Sequence, residues 1–365
     1  NTTNCPFEVK ISITYFSYIL KQHLPFPVFY AAKSAADFFF PVRELHPFSL
    51  LLPHQLGILT DLSVYFCEEK KYTENIIGKR EEKKMKTAVV DVGGGMRGVY
   101  ASGVLDRCLK ENIQFDLCIG VSAGSANLAS YLSGQMGRNL FFYHDYAFRK
   151  EYMSLHNFFH THSYVDLEYI YATLSNQDGE NALNYSSLLH HPAQFWVVAE
   201  EAVSGKPRYF TKEDIRQDDY RIFMASSCLP GVNRPFLLDG VLYYDGALAD
   251  PVPIQKAFDL GCDRVVLLLT KPSDIPRSSR KDQLIARMIE REFPASAHQL
   301  RTRAERYNAC VARAKQYQQE GRLLIVEPCD TMGVDTLAKN KDAIQSLYQL
   351  GWQDGERIRQ WMKGA

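Results

Sequence analysis

The spacing of apolar positions becomes regular from residue 86. Thr87-Ala88-Val89-Val90-Asp91-Val92 is a continuous apolar, β-branched run, as a strand buried on both faces requires. After a glycine-rich break, VYASGVLDRCLKEN carries Val99, Val104, Leu105 and Leu109 at helical spacing. Asp116-Leu117-Cys118-Ile119 reads as a second buried strand, and SANLASYLSG as the helix that follows it. Further strands are predicted over 195–199, 221–224, 264–269 and 323–326, with helical patterns between them. This alternation predicts a three-layer α/β/α fold with a mainly parallel central sheet, whose active groups gather at the C-terminal strand ends. The predicted domain spans 85–365, with its motif core in 86–271 and a helical region in 272–365. Residues 275–320 read as long basic amphipathic helices. A solvated face is the default for them, with a membrane surface or a partner as the alternative.

Composition narrows the function classes. The 365 residues are 46% hydrophobic and 23% charged, which suits a globular core. Lys+Arg and Asp+Glu both total 42, so the chain lacks the basic footprint of a nucleic-acid binder and any strong attraction to anionic lipid. Peripheral membrane contact therefore has to come from apolar or local basic patches. The eight cysteines form no CxxC pair and no zinc-like Cys/His spacing, and the reading is free buried thiols in a reducing cytoplasm. No apolar run reaches the roughly 18–20 residues that cross a bilayer. His156, His160 and His162 in LHNFFHTHSY read as surface or packing residues, since no carboxylate or Cys completes a ligand set. No metal or cofactor is expected.

The chemistry sits in three turns. Gly93-Gly94-Gly95-Met96-Arg97-Gly98 joins the first strand to its helix, so backbone N–H groups are free of side chains at a positive helix end. Such a turn suits a phosphate or a developing oxyanion. It also matches GxGxxG, but the acid that a dinucleotide site wants near this distance, Asp116, begins a strand instead of ending one. Next, Gly120-Val121-Ser122-Ala123-Gly124 stands between a strand and a helix, the layout of a nucleophile elbow, with Gly120 and Gly124 allowing close backbone approach. A serine nucleophile needs a base. Asp245, in VLYYDGA, is the candidate acid, and His298 is the sole histidine after it, in a polar, helix-like neighbourhood. A Ser122–Asp245 dyad needs no histidine.

In order, GGGMRG, GVSAG and DGA closely resemble the patatin-like phospholipases, specifically the bacterial single-domain members. Ala225-Ser226-Ser227-Cys228-Leu229-Pro230-Gly231 resembles the family's segment ahead of the catalytic aspartate. Asp250-Pro251-Val252-Pro253 resembles its Asn-x-Pro but with Asp in place of Asn, and Ala247 replaces the commoner second glycine. The resemblance implies that Ser122 is the nucleophile and Asp245 the proton acceptor. Gly94 and Gly95, helped by the turn from Gly93 through Arg97 to Gly98, would then hold the oxyanion. Arg97 matches a basic family position, to brace the turn or to meet a phosphate headgroup. The implied activity is hydrolysis of carboxylic esters in phospholipids or related acyl lipids. A thioesterase or acyltransferase on the same machinery and a non-catalytic lipid-binding protein are the alternatives. A cap built from the aromatic-rich 140–190 is weighed against plain core packing.

Residues 1–84 carry six scattered prolines and no sustained period. They end in Gly78-Lys79-Arg80-Glu81-Glu82-Lys83-Lys84, residue types all encodable by purines alone, directly before Met85. The expectation is a translated leader with the native start at Met85, against a genuine extension ending in a charged linker. Intact mass of the native product should match a chain beginning at Met85; a mass beginning near Asn1 refutes the leader.

Overall fold

The computed structural model describes residues 85–337 and 340–364, so the expectation for residues 1–84 lies outside the described residues. Its centre is an eight-stranded mixed sheet in the order β5-β6-β3-β2-β1-β7-β8, with β4 paired separately to β3. The strands are β1 (Thr87–Asp91), β2 (Leu117–Val121), β3 (Gln194–Glu201), β4 (Pro207–Thr211), β5 (Phe236–Leu238), β6 (Val241–Asp245), β7 (Arg264–Leu268) and β8 (Leu323–Val326). From β3 through β8 the ladder is parallel, while β4, β5 and β6 pair antiparallel. This is the expected α/β architecture, with an antiparallel margin that the apolar pattern did not announce.

The helices are α1 (Val99–Lys110), α2 (Ala123–Leu132), α3 (Arg138–His144), α4 (Leu155–Thr161), α5 (Tyr185–His190), α6 (Arg221–Ser227), α7 (Ile254–Asp259), α8 (Arg280–Ile289), α9 (Pro294–Gln319), α10 (Lys341–Asp354) and α11 (Glu356–Lys363). Alternate strand residues feed two cores. Val89, Cys118, Val197 and Val266 face α1, α2 and α10 on one side. Val90, Ile119, Val198 and Val265 face α7 and the later turns of α9 on the other. Strands β1, β2 and β7 are buried on both faces, which explains their unbroken apolar runs. No described helix is long and apolar enough to cross a membrane.

Two expectations change. Residues 221–224, read as a strand, lie in α6. Ile222, Phe223, Met224 and Ala225 are buried all round, so neither period could show in so short a run. The closing helix divides at Gly355 into α10 and α11.

Helix α10 locks onto α1 through two glycines. A Cβ at Gly103 would lie 2.2 Å from the Tyr348 carbonyl oxygen, and one at Gly351 would lie 2.0 Å from that of Tyr100. The two backbones therefore touch. The Tyr348 hydroxyl donates to Asp106 at 2.8 Å and the Tyr100 hydroxyl to Asp354 at 2.6 Å, pinning the crossing on both sides. Replacing Gly351 with Ala should destabilise the fold by about 1–3 kcal/mol through overpacking. In urea the midpoint should fall with an unchanged slope; an unaltered midpoint would mean that the helices separate at little cost.

Candidate active site

Strand β3 brings the distant motifs together. On one edge it pairs with β2, ending at Val198 opposite Val121. Its next residue, Ala199, pairs with Asp245 of β6. Strand β4 covers Trp196–Glu200 on the other edge, so β6 takes up the edge where β2 leaves off. Ser122, the residue after β2, and Asp245, the last of β6, therefore meet end to end.

Ser122 begins α2 with φ +56° and ψ −133°, a conformation that a non-glycine residue holds only when its surroundings enforce it. The neighbours do enforce it. The Ser122 N–H donates to Ser226 Oγ at 2.9 Å, and Ser226 Oγ in turn donates to the Val198 carbonyl at 2.6 Å. Ser125 Oγ donates to the Ser122 carbonyl at 2.6 Å. Gly120 and Gly124 leave the space for this turn: a Cβ at Gly120 would lie 2.4 Å from Ser125 Cα, and one at Gly124 would lie 2.4 Å from the Asp91 carbonyl oxygen. The result is a sharp strand-to-helix turn with its side chain lifted out of the sheet edge.

Asp245 is 1% exposed. One carboxylate oxygen accepts the Ala247 N–H at 2.8 Å. Oδ2 completes no hydrogen bond of normal geometry, although the Ser122 hydroxyl lies close enough to favour the ionised form. Burial dominates and pushes the Asp245 pKa up; against it work the Ser122 hydroxyl, the Ala247 N–H and the charges of Arg303 and Arg277. Both arginines also contact the buried carboxylate of Asp282. A buried carboxylate so close to a serine has the features of a general base.

In the glycine turn Gly93, Gly94 and Gly95 take φ of +65°, +132° and +60°. The Gly93 N–H donates to Asp91 Oδ1 at 2.9 Å, which removes it from the expected set of oxyanion donors. The Gly94 and Gly95 N–H groups carry no hydrogen bond among the described residues. Gly98 closes the turn. Its carbonyl accepts from Asn127 Nδ2 at 3.0 Å, and a Cβ there would strike the Tyr143 hydroxyl. Arg97 pairs with Asp335 at 2.7 Å and Thr336 Oγ1 at 3.1 Å, which ties the turn to the segment around Thr336. Asp91 is fully buried, receives N–H bonds from Gly93 and Asn127, and has its pKa raised by burial to about 6.

A cavity opens beside Ser122, lined by Gly95, Met96, Phe142, Tyr143, Tyr152 and Tyr171 among others. Part of the aromatic-rich 140–190 thus forms its wall. No histidine lines it. His298 is exposed on α9, and His156, His160 and His162 are exposed at or beside α4. Among the described residues no three His, Cys, Asp or Glu side chains are grouped to hold a metal. Sequence reasoning assigned no role to Asp91, Asn127, Ser226 or Arg138. A buried-looking Asp closing an apolar strand was the available signal for Asp91; Asn127, Ser226 and Arg138 carried none. Asp250, in place of the family's Asn, accepts the Tyr209 hydroxyl at 2.5 Å. Asp116 accepts the Thr87 N–H at 2.9 Å and so helps to hold β1 to β2.

Comparison with known proteins matches residues 92–258 to the family described as patatin-like phospholipase. Residues 92–258 form a patatin-like phospholipase domain. Downstream of this patatin-like domain, residues 293–363 match a domain of unknown function, DUF6363. The uncharacterized protein YjjU of Escherichia coli K12 is 28% identical over 192 residues, which cover 52% of this chain and 53% of that relative. The chain thus spans about half the length of that curated relative. VipD of Legionella pneumophila, a crystal structure, aligns with a TM-score of 0.38 at 11% identity, over 75% of this chain and 66% of that one.

Glu200 is a further buried acid. Glu200, next to Ala199 on β3, accepts from Ser296 Oγ of α9 at 2.5 Å, and its other oxygen has no partner among the described residues. Burial raises its pKa to about 8. Because the folded pKa stands above the unfolded one, Glu200 favours the fold at low pH and loses that contribution as pH rises from about 4.5 through about 8. Glu200→Gln should therefore gain thermal stability relative to the parent as pH rises across that window. Melting midpoints from pH 5 to 9 check this, and parallel curves refute it.

Proposed function

We propose that the chain is a serine lipid acyl hydrolase, cleaving carboxylic esters of phospholipids or related acyl lipids through Ser122 and Asp245. The reading is carried by one observation: the Ser122 hydroxyl lies near enough to the buried Asp245 carboxylate to favour its ionised form, beside Gly94 and Gly95 N–H groups that carry no hydrogen bond among the described residues. Ser122 Oγ attacks the ester carbonyl carbon while its proton passes to Asp245. The Gly94 and Gly95 N–H groups receive the developing oxyanion, a donor set in which each member is typically worth about 2.7–4 kcal/mol of barrier. Collapse breaks the bond to the alcohol oxygen, which takes the proton from Asp245. Water then attacks the acyl-enzyme, gives its proton to Asp245, and releases the acid as the proton returns to Ser122.

Lipid substrates enter from an aggregate or a membrane surface in this reading. Phe141, Leu155, Phe158 and Phe159 are exposed on the segments that also carry the cavity residues Phe142, Tyr152 and Met153. They supply the apolar surface that the chain's zero net charge leaves as the route of approach. The exposed His298 has no part in the reaction.

A fluorophosphonate probe should label the parent chain and leave Ser122→Ala unlabelled; labelling that persists in Ser122→Ala would falsify the assignment. Asp245→Asn should lower kcat by at least about a thousandfold, and His298→Ala should change it little. Since only ionised Asp245 accepts the proton, kcat/KM should fall as pH falls. The inflection should lie above the ordinary carboxylate range, in line with the raised pKa. A profile flat down to pH 4 excludes this base.

A further inference from the structure

The cavity beside Ser122 holds an unexplained cation. Among the described residues its lining contains no Asp, Glu, Lys or His, and the one formal charge there is Arg138. Arg138 is 7% exposed, at the start of α3. Nη1 donates to Ser130 Oγ at 3.0 Å, and Nη2 donates to Ser175 Oγ and to the Asn181 carbonyl, both at 2.9 Å. Nε has no partner among the described residues, and the guanidinium lies 4.8 Å from the centre of the Phe142 ring. Every one of these acceptors is neutral. Burial pulls the pKa down to about 10, which leaves the group protonated at neutral pH.

A buried charge answered only by dipoles is costly, and proteins ordinarily place a carboxylate beside it. Among the described residues no carboxylate pairs with Arg138, which lines the cavity beside Ser122. The other polar groups lining it also include donors. The Tyr152 hydroxyl makes no hydrogen bond among the described residues, whereas the Tyr143 hydroxyl donates to Asn127 and that of Tyr171 pairs with Ser227. Most of the lining, from Met96 and Phe142 to Leu167, Ile170 and Val232, suits a hydrocarbon chain, while the Arg138 end is matched to an acceptor carrying negative charge. Its distance from the nucleophile follows from α2. Arg138 touches Ser130, which lies a little over two helical turns beyond Ser122, about 12 Å at the usual rise.

Resting on the hydrolase reading above, we propose that the cavity selects esters bearing an oxyanion, a carboxylate or a phosphate, with Arg138 as its counter-ion some two helical turns from the reacting carbonyl. The anion completes an ion pair that the protein leaves half built. The same guanidinium keeps its bonds to Ser130, Ser175 and Asn181, which orient it.

The test uses the full chain and two matched substrate pairs. One sets p-nitrophenyl half-esters of straight-chain dicarboxylic acids of graded length against p-nitrophenyl esters of monocarboxylic acids of the same lengths. The other sets 1-acylglycerol 3-phosphates against 1-acylglycerols. At least one anionic series should exceed its neutral match in kcat/KM by about tenfold or more, as a charge-assisted contact implies. The winning pair tells whether the anion sits on the acyl or the alcohol side. Arg138→Gln should bring that ratio toward one, and Arg138→Lys should keep part of it. Equal turnover within both pairs overturns the proposal, as does a preference that Arg138→Gln leaves intact. Should Arg138→Gln fail to fold, the wild-type ratios decide alone. Should no ester be hydrolysed, the hydrolase reading fails separately. Calorimetric titration of Ser122→Ala with the same esters then decides: tighter binding of the anionic members supports the selection, and equal binding rejects it.

Discussion

The register along one edge of β3 is the constraint on which the candidate site depends. Val198 faces the end of β2 and Ala199 faces the end of β6, so the step from one to the other is a single residue. Because side chains alternate across a strand, a slip of one position on β6 would turn Asp245 to the opposite face of the sheet. Burial of Tyr243, Tyr244 and Asp245 at the end of β6 holds the register. Gly246 secures it from the other side, since a Cβ there would lie 2.1 Å from the Val198 carbonyl oxygen. The two groups are far apart in the chain, yet their meeting depends on hydrogen bonds of one strand and the absence of one methyl group.

Around that contact the protein accumulates conditions that would be unfavourable elsewhere. Ser122 sits in a left-handed backbone conformation, and Asp91, Asp245 and Glu200 are carboxyl groups with little or no access to water. Each is held by a small set of donors, and for each burial outweighs them and raises the pKa. Strain and desolvation of this kind are tolerated only where packing over-determines the geometry. Their concentration at the ends of β1, β2, β3 and β6 marks the same end of the sheet that the alternating pattern had indicated.

The parallel part of the sheet was legible because strands buried on both faces leave unbroken apolar runs, as in β1, β7 and β8. The antiparallel strands were not, since half-exposed β4 and β5 are short and leave no such run. Residues 221–224 misled for a related reason: burial on every side erases the difference between the two periods. The glycine turn, Ser122 and Asp245 could be picked out because chemistry restricts residue type there. Which glycine N–H groups remain free could not, because that depends on Asp91 reaching Gly93. Arg138 was invisible in the sequence, where nothing distinguishes an arginine facing a cavity from one facing solvent.

The contact between α1 and α10 bears on how such chains are divided. Family comparison draws one boundary after residue 258 and another before residue 293. Gly103 lies in the first of these segments and Gly351 in the second, and their helices touch backbone to backbone. The Met96 N–H donates to the Thr336 carbonyl, so the later segment also closes the turn beside the serine. A seam between two evolutionary units therefore runs through the middle of a single physical object, and neither half presents a finished surface on its own.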